Sequence, residues 1–280
     1  MKIGLSLGGG GSRGYAHLGA IRALEEAAVP IQLINGSSIG AVVGGAYALY
    51  GDAARVLAIV EEVVGGVNVN YFNVFHYSGD SGSFLRNWLV NAMCDLGALR
   101  ASVLSHRNNL RALELLFGES RFADTRIPFS SVAVDLLAGE TVVIREGRLA
   151  DGVLPSMSIP GIFPPVEKEG RLLVDGCVLA DTPAHELRRE GADFVIAIAL
   201  GKGKGAEWRN GFDVLNRVET VKEDLLDRWE LGAAGFEITI DLPHYDSTRF
   251  DNSQYAIAQG YEAVTAALPR LERRLAEANA

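Results

Sequence analysis

The sequence predicts an α/β fold, a single domain with a central, largely parallel sheet flanked by helices. Three observations lead to this prediction. Short apolar runs that suit buried strands alternate with longer stretches of helical spacing from the first residues onward. Glycine-rich turns follow the first two of these runs, where a strand passes into a helix. The 280 residues also contain no evident linker or internal repeat, so we expect one domain over residues 1–280.

The first 50 residues alternate strand and helix twice. Lys2–Leu7 is a short apolar run that predicts a strand, and Gly14–Ala28 has the spacing of a helix. Ile31–Ile34 predicts a second strand, and Ile39–Leu49 a helix of mostly small residues that suits burial against a sheet. Strand, helix, strand, helix in this order indicates parallel strands.

The rest of the chain continues the pattern after a middle region, 68–122, that is rich in helix formers and aromatic residues. Strands are predicted at Ser131–Val134, Thr141–Ile144, Leu172–Val174, Phe194–Leu200 and Phe236–Ile240. Helices are predicted at Pro183–Glu190, Asp213–Leu231 and Gln254–Ala276. The apolar run Phe194–Leu200 is the strongest strand signal in the chain.

Charge and composition exclude several classes of function. Lys and Arg number 26 against 35 Asp and Glu, a formal net charge of −9, which disfavours a nucleic-acid partner. Cys94 and Cys177 are too few for a disulfide framework or a metal site, and no Cys/His cluster suggests a metal. We expect neither a metal nor an organic cofactor. Met1–Leu7 is too short an apolar run for a signal peptide. A cytoplasmic protein is the expectation.

The segment Gly36–Gly40, GSSIG, has the spacing of a nucleophile elbow. In that turn a serine is lifted out of the sheet between a strand and a helix, and the residues two before and two after must be small. Ser38 has glycine at both offsets, Gly36 and Gly40, whereas Ser37 does not. A serine at this place also lies at a helix N-terminus, where developing negative charge is stabilised. The structural alternative is that the two serines form an ordinary helix N-cap, with glycine at a tight turn.

A glycine run, Gly8–Gly14, lies between the first predicted strand and helix. Consecutive glycines allow several backbone amides to converge on one anion, as in an oxyanion hole. Gly9, Gly11 and Gly14 also satisfy the spacing of a dinucleotide fingerprint. That interpretation requires an acidic residue after the second strand, but Ile31–Ile34 is followed by Asn-Gly-Ser. A nucleotide-binding regulatory protein that uses the glycine loop for phosphate and a purely structural turn therefore remain weaker alternatives.

A nucleophilic serine needs a base, and two residues are candidates. His244 follows the last predicted strand, where the histidine of a Ser-Asp-His triad is expected. Asp175 lies at a strand end in Val174-Asp175-Gly176, and a desolvated carboxylate held against a serine can accept its proton. An Asp-Gly turn is the structural alternative for Asp175.

Together, the glycine run, the elbow and the strand-terminal Asp-Gly resemble the patatin-like phospholipase family over most of the chain. The blocks from Val134 to Glu140 and from Ser156 to Pro165 are similar to that family too. The resemblance implies lipid acyl-ester hydrolysis by a Ser–Asp dyad without histidine. It implies the following roles: Ser38 as nucleophile, Asp175 as base, and Gly9, Gly10 and Gly11 as oxyanion donors, with Arg13 and Gly14 completing the loop.

Two departures from the family pattern lie near the expected base. Cys177 stands where the family usually has Gly or Ala, and Asp181 stands where Asn is common. A carboxylate at Asp181 would raise the pKa of Asp175 if the two are close.

The resemblance implies lipid or other acyl-ester substrates as partners. Transient contact with a membrane surface is a separate expectation. Lys202, Lys204 and Trp208 are candidates for that contact, although a solvated loop is the commoner use of such a segment. His17 lies on the predicted helix that follows the glycine run and is expected to be structural. The oligomeric state is not predicted.

Overall fold

The computed structural model describes residues 1–66, 102, 104–201, 211–243, 245 and 253–280. The strands are β1 (Ile3–Leu7), β2 (Ile31–Ser37), β3 (Phe129–Asp135), β4 (Glu140–Ile144), β5 (Val166–Lys168), β6 (Arg171–Asp175), β7 (Phe194–Leu200) and β8 (Phe236–Ile240). The helices are α1 (Tyr15–Glu26), α2 (Ile39–Tyr50), α3 (Ala53–Gly66), α4 (Arg107–Phe117), α5 (Leu149–Val153), α6 (Ala184–Arg189), α7 (Gly211–Leu231) and α8 (Ser253–Asn279).

The eight described strands form one sheet, and the predicted α/β fold with a largely parallel sheet is confirmed. Along the hydrogen-bonded pairs the order is β5-β6-β3-β2-β1-β7-β8, and β4 also pairs with β3. The five strands from β3 to β8 in this order run parallel. β4, β5 and β6 add antiparallel pairs. The sequence did not predict β5, because its three residues are too few to show a period.

Burial explains why β1 and β7 consist mostly of apolar residues. Every residue of both strands is buried, as expected for central strands covered on both faces. One face packs against α1, α2 and α8, and the other against α6. Helices α1 and α8 cross with their backbones in close contact at Gly19. A Cβ at this position would lie 1.9 Å from the Ile257 carbonyl oxygen, so a larger residue would not fit.

Strands β2 and β6 meet end to end along the same edge of β3. Ser37 at the end of β2 pairs with Val132, and Asp175 at the end of β6 pairs with the next residue, Ala133. β4 pairs with both Val132 and Ala133 from the other edge. Since a strand has only two edges, β2 and β6 must share one, and they approach from opposite directions. This register brings the ends of β2 and β6 together.

Several predicted elements are longer in the structure. β2 continues from Ile34 to Ser37, because its polar last residues pair with β3 inside the sheet. The aromatic part of the middle region and the loop with Lys202, Lys204 and Trp208 lie outside the described residues. Within the part of the chain that the structure describes, no helix combines the length and apolarity needed to cross a bilayer.

Candidate active site

Ser38 lies at the turn between β2 and α2 and has a strained backbone. Its φ of 53° and ψ of −126° place it in a region that non-glycine residues rarely adopt. The two flanking glycines make this turn sterically possible. A Cβ at Gly36 would lie 2.4 Å from the Gly40 carbonyl oxygen, and a Cβ at Gly40 would lie 2.2 Å from that of Leu7. The spacing identified in the sequence therefore has a direct steric cause.

Asp175 lies at the end of β6, and its side chain contacts Ser38. The Ser38 hydroxyl donates a hydrogen bond to Asp175 Oδ2 over 2.7 Å. The other carboxylate oxygen accepts from the Cys177 amide at 3.0 Å. A Cβ at Gly176 would lie 2.6 Å from Ser37 Oγ, so only glycine allows β6 to approach the elbow this closely. The structure thus brings the predicted nucleophile, Ser38, into hydrogen-bond contact with Asp175, one of the two predicted candidates for the base.

The environment of Asp175 makes its carboxylate unusually basic. The side chain has no solvent-exposed surface, and this burial raises its pKa to about 7. Hydrogen bonds from Cys177 and Ser38 lower the pKa and partly offset the burial, while the negative charge of Asp181 raises it. The sequence expectation about Asp181 has the correct direction, but burial is the larger cause.

The glycine run forms a loop between β1 and α1 that reaches the elbow. Gly10 and Gly11 have positive φ values of 152° and 59°, and in the described residues their amides have no backbone acceptor. The Gly9 amide differs from the expectation, because it donates to the Asp181 carbonyl at 3.2 Å. A Cβ at Gly14 would lie 2.1 Å from Ile39 Cγ1, so Gly14 makes room for the residue after Ser38.

Arg13 and His17 hold this loop in place. Arg13 Nε donates to the Gly10 carbonyl at 3.0 Å and Nη1 to the Gly201 carbonyl at 2.5 Å. The fully buried ring of His17 has its Nε2 2.8 Å from the Gly8 carbonyl. Burial lowers the pKa of His17 to about 4, so the ring is neutral at pH 7 and Nε2–H donates. Both side chains bind backbone oxygens, which fits a structural role.

The three described histidines, His17, His106 and His185, all direct Nε2 at a backbone carbonyl. His76 and His244 lie outside the described residues. Ser37, the poorer nucleophile candidate, is buried, and its Oγ has no hydrogen-bond partner among the described residues.

An apolar cavity opens beside Ser38 between α1, α2, α3 and α4. Its wall includes Leu18, Val42, Val60, Leu113, Ile159 and Phe163, and it reaches Gly11 of the glycine loop. Such a cavity favours an apolar ligand group next to the Ser38 hydroxyl.

Two further residues of the site were not identified from the sequence. Ser156 accepts a hydrogen bond from the Ser38 amide over 2.9 Å. Ile39, the first residue of α2, lines the cavity, and its amide has no partner within the helix. Ile39 directly follows the predicted nucleophile, and this position could have identified it as a site residue from the sequence. Ser156 is 118 residues away from Ser38, and nothing local in the sequence marks that contact.

Comparison with known proteins finds similar sequences and a similar solved structure. An uncharacterized NTE family protein of Mycobacterium tuberculosis is 34% identical over 231 residues, which cover 81% of this chain and 58% of the relative. A lysophospholipase, nte1, of Emericella nidulans is 31% identical over 222 residues, 77% of this chain and 13% of the relative. VipD from Legionella pneumophila aligns with a TM-score of 0.49 at 15% identity, covering 96% of this chain and 67% of that structure.

This chain spans just over half of the mycobacterial relative and a much smaller part of the fungal one. The family model described as patatin-like phospholipase matches residues 5–188. That range includes the glycine loop, the Ser38 elbow and Asp175. The match over more than half of the chain shows that this protein belongs to the patatin-like phospholipase family.

Proposed function

We propose that the protein is a serine hydrolase that cleaves carboxylic esters of lipids with Ser38 and Asp175 as a catalytic dyad. The hydrogen bond of 2.7 Å between Ser38 Oγ and Asp175 Oδ2 is the observation that carries this proposal. It joins a serine on a strained elbow to a fully buried carboxylate. Strain of this kind recurs at active sites, where it presents a side chain to the substrate.

The raised pKa of Asp175 gives the carboxylate a suitable strength as a general base. A base works best when its pKa lies near the operating pH, and burial brings that of Asp175 to about 7. In the first step Asp175 takes the Ser38 proton while Ser38 Oγ forms a bond to the ester carbonyl carbon. The tetrahedral intermediate then collapses, the bond to the alcohol oxygen breaks, and the alcohol leaves with the proton that Asp175 took from Ser38. In the second step Asp175 takes a proton from water, whose oxygen bonds to the acyl carbon. The bond from that carbon to Ser38 Oγ then breaks, the carboxylic acid is released, and Ser38 recovers its proton from Asp175.

Backbone amides of the glycine loop are the proposed oxyanion donors. The Gly9 amide already donates to Asp181, so we assign this role to Gly10 and Gly11. The amide after a nucleophile is a common further donor, which adds Ile39. Such preorganised donors stabilise the charge of the tetrahedral intermediate, and each is typically worth about 10²- to 10³-fold in rate.

The apolar cavity supports lipid substrates, because it offers an acyl chain an apolar wall directly beside the nucleophile. Family membership and the lysophospholipase name of the fungal relative support the same class.

We also propose contact with a lipid surface through helix α7. Five large apolar side chains are 45–62% exposed along one side of α7, namely Val214, Val218, Val221, Leu225 and Trp229, and we call this set the α7 stripe. Arg217, Lys222 and Arg228 are exposed beside it, whereas Glu230 is buried on the opposite side. An apolar stripe with basic flanks is typical of helices that lie on anionic lipid.

Replacement of the two neighbouring serines tests the proposed function. Ser38→Ala should abolish hydrolysis of p-nitrophenyl esters and phospholipids and labelling by a fluorophosphonate. Ser37→Ala, the matched control, should keep most of the activity, because no described residue forms a hydrogen bond with the Ser37 hydroxyl. An active, labelled Ser38→Ala protein would refute the assignment.

A further inference from the structure

Ser156 connects the elbow to the central strand that also holds the base. It lies in a short 3-10 turn, Pro155–Met157, and its side chain is fully buried. The Ser156 hydroxyl accepts the Ser38 amide hydrogen over 2.9 Å and donates to the Val132 carbonyl over 2.5 Å. The hydroxyl therefore donates to the middle of β3 and accepts from the elbow at the end of β2.

These two bonds act at the point where the dyad is assembled. Val132 precedes Ala133, the β3 residue that pairs with Asp175. One hydroxyl thus ties the amide of the nucleophile to the strand that positions the base. Ser38 is in a strained conformation, and strained residues persist only where their surroundings over-determine them. Its buried amide would lack an acceptor without Ser156.

We propose that Ser156 is a positioning residue, whose hydroxyl keeps Ser38 Oγ within hydrogen-bond distance of Asp175. The inference rests on the proposed function and deepens it. Ser156 contacts neither Asp175 nor the apolar cavity through its hydroxyl, so it acts through Ser38. Its loss should lower the rate of the chemical step and leave substrate binding unchanged.

The test compares Ser156→Ala with Ser156→Thr, which keeps the hydroxyl. Ser156→Ala should lower kcat by roughly 10- to 100-fold, since a small misplacement of a reacting group has that effect. KM should stay within about twofold, and the rate of fluorophosphonate labelling should fall with kcat. Ser156→Thr should recover most of kcat. If the alanine variant does not fold, Ser156→Cys replaces it and should show an intermediate kcat, because a thiol bonds weakly.

Ser130→Ala is the matched structural control. Ser130 is equally buried, lies on the same strand as Val132, and bonds to Glu190 rather than to the site. It should lose thermal stability without losing kcat. The proposal is overturned if folded Ser156→Ala retains wild-type kcat, if Ser130→Ala loses as much kcat at equal stability, or if Ser156→Thr gives no rescue. Activity remaining in Ser38→Ala would instead refute the proposed function.

Discussion

At the scale of single residues, Asp175 couples catalysis to stability. Its carboxylate is fully buried, and burial raises its pKa to about 7 from the ordinary value of 3.8. Ionisation is therefore less favourable in the folded protein than in the unfolded chain. The stability contributed by the protonated form is complete below pH 4 and is lost as the pH rises through about 7. Catalysis needs ionised Asp175, and the folded protein is less stable against unfolding when Asp175 is ionised than when it is protonated.

We therefore expect kcat/KM to fall as the pH decreases below about 7, because protonated Asp175 cannot accept the Ser38 proton. Asp175→Asn should remove nearly all turnover. It should also raise the melting temperature at pH 8, with a smaller gain at pH 5, where wild-type Asp175 is already protonated. A pH–rate profile and melts at both pH values measure this. A flat profile from pH 5 to 8, or a larger gain at pH 5, would contradict the assignment.

The dyad also predicts that no histidine takes part in the proton transfer. His244→Ala should keep at least a tenth of the wild-type rate, because Ser38 already bonds directly to a carboxylate. Asp175→Asn alone does not separate the dyad from a triad, since loss of the triad aspartate can also cost about 10⁴-fold. The rate of a folded His244→Ala protein is the deciding measurement. Activity near background would establish His244 as part of a triad.

At the scale of elements, two strand ends and a glycine loop make the site. β2 and β6 end opposite consecutive residues of β3, Val132 and Ala133. The loop after β1, the neighbour of β2, then approaches the elbow, where Gly14 leaves room for Ile39. The strand pairing sets where Ser38 and Asp175 lie, so the site tolerates few changes of strand register.

Helix α7 has its apolar side exposed, which leads to a prediction for the α7 stripe. Replacing Val221 and Leu225 together with Asp should weaken sedimentation with phosphatidylglycerol vesicles by about tenfold or more, given the burial energy of two such side chains. The melting temperature should hardly change, because both are about half exposed. Leu137→Asp, at the most exposed large apolar residue outside the stripe among those that the structure describes, is the control. Equal binding by all three proteins would refute the proposal.

At the scale of the whole molecule, we propose that residues 1–280 form one domain. The family match ends at residue 188, but β7 lies beyond it and pairs with β1 in the middle of the sheet. Helix α8 also packs against α1 through Gly260, where a Cβ would lie 1.9 Å from the Ala16 carbonyl oxygen. The last third of the chain therefore completes the sheet and covers it.

A chain that ends at Glu190 should consequently fail to fold. Without β7, one edge of buried β1 has no hydrogen-bond partners, and without α8 the surface of α1 is exposed. Near-UV circular dichroism and a thermal melt, with the full chain as control, measure this. A native-like spectrum and a cooperative melt of the shorter chain would show that the region of the family match is a separate domain.

Local patterns account for the elements that the sequence predicted correctly. The strand and helix periods depend on neighbouring residues, and so does the steric need for glycine at Gly36 and Gly40. These signals placed β1, β2 and α2 within a few residues and identified Ser38. Asp175 alone was an ordinary Asp-Gly turn in the sequence, and its assignment depended on the combination of motifs that resembles a family.

The sequence by itself determined the alternation of strands and helices, the elbow at Ser38 and the glycine loop, because each depends on residues adjacent in the chain. Only the tertiary structure decided that Ser38 meets Asp175, that burial raises the pKa of this aspartate to about 7, and that Ser156 holds the Ser38 amide. These properties depend on groups more than 100 residues apart, which the sheet register brings together.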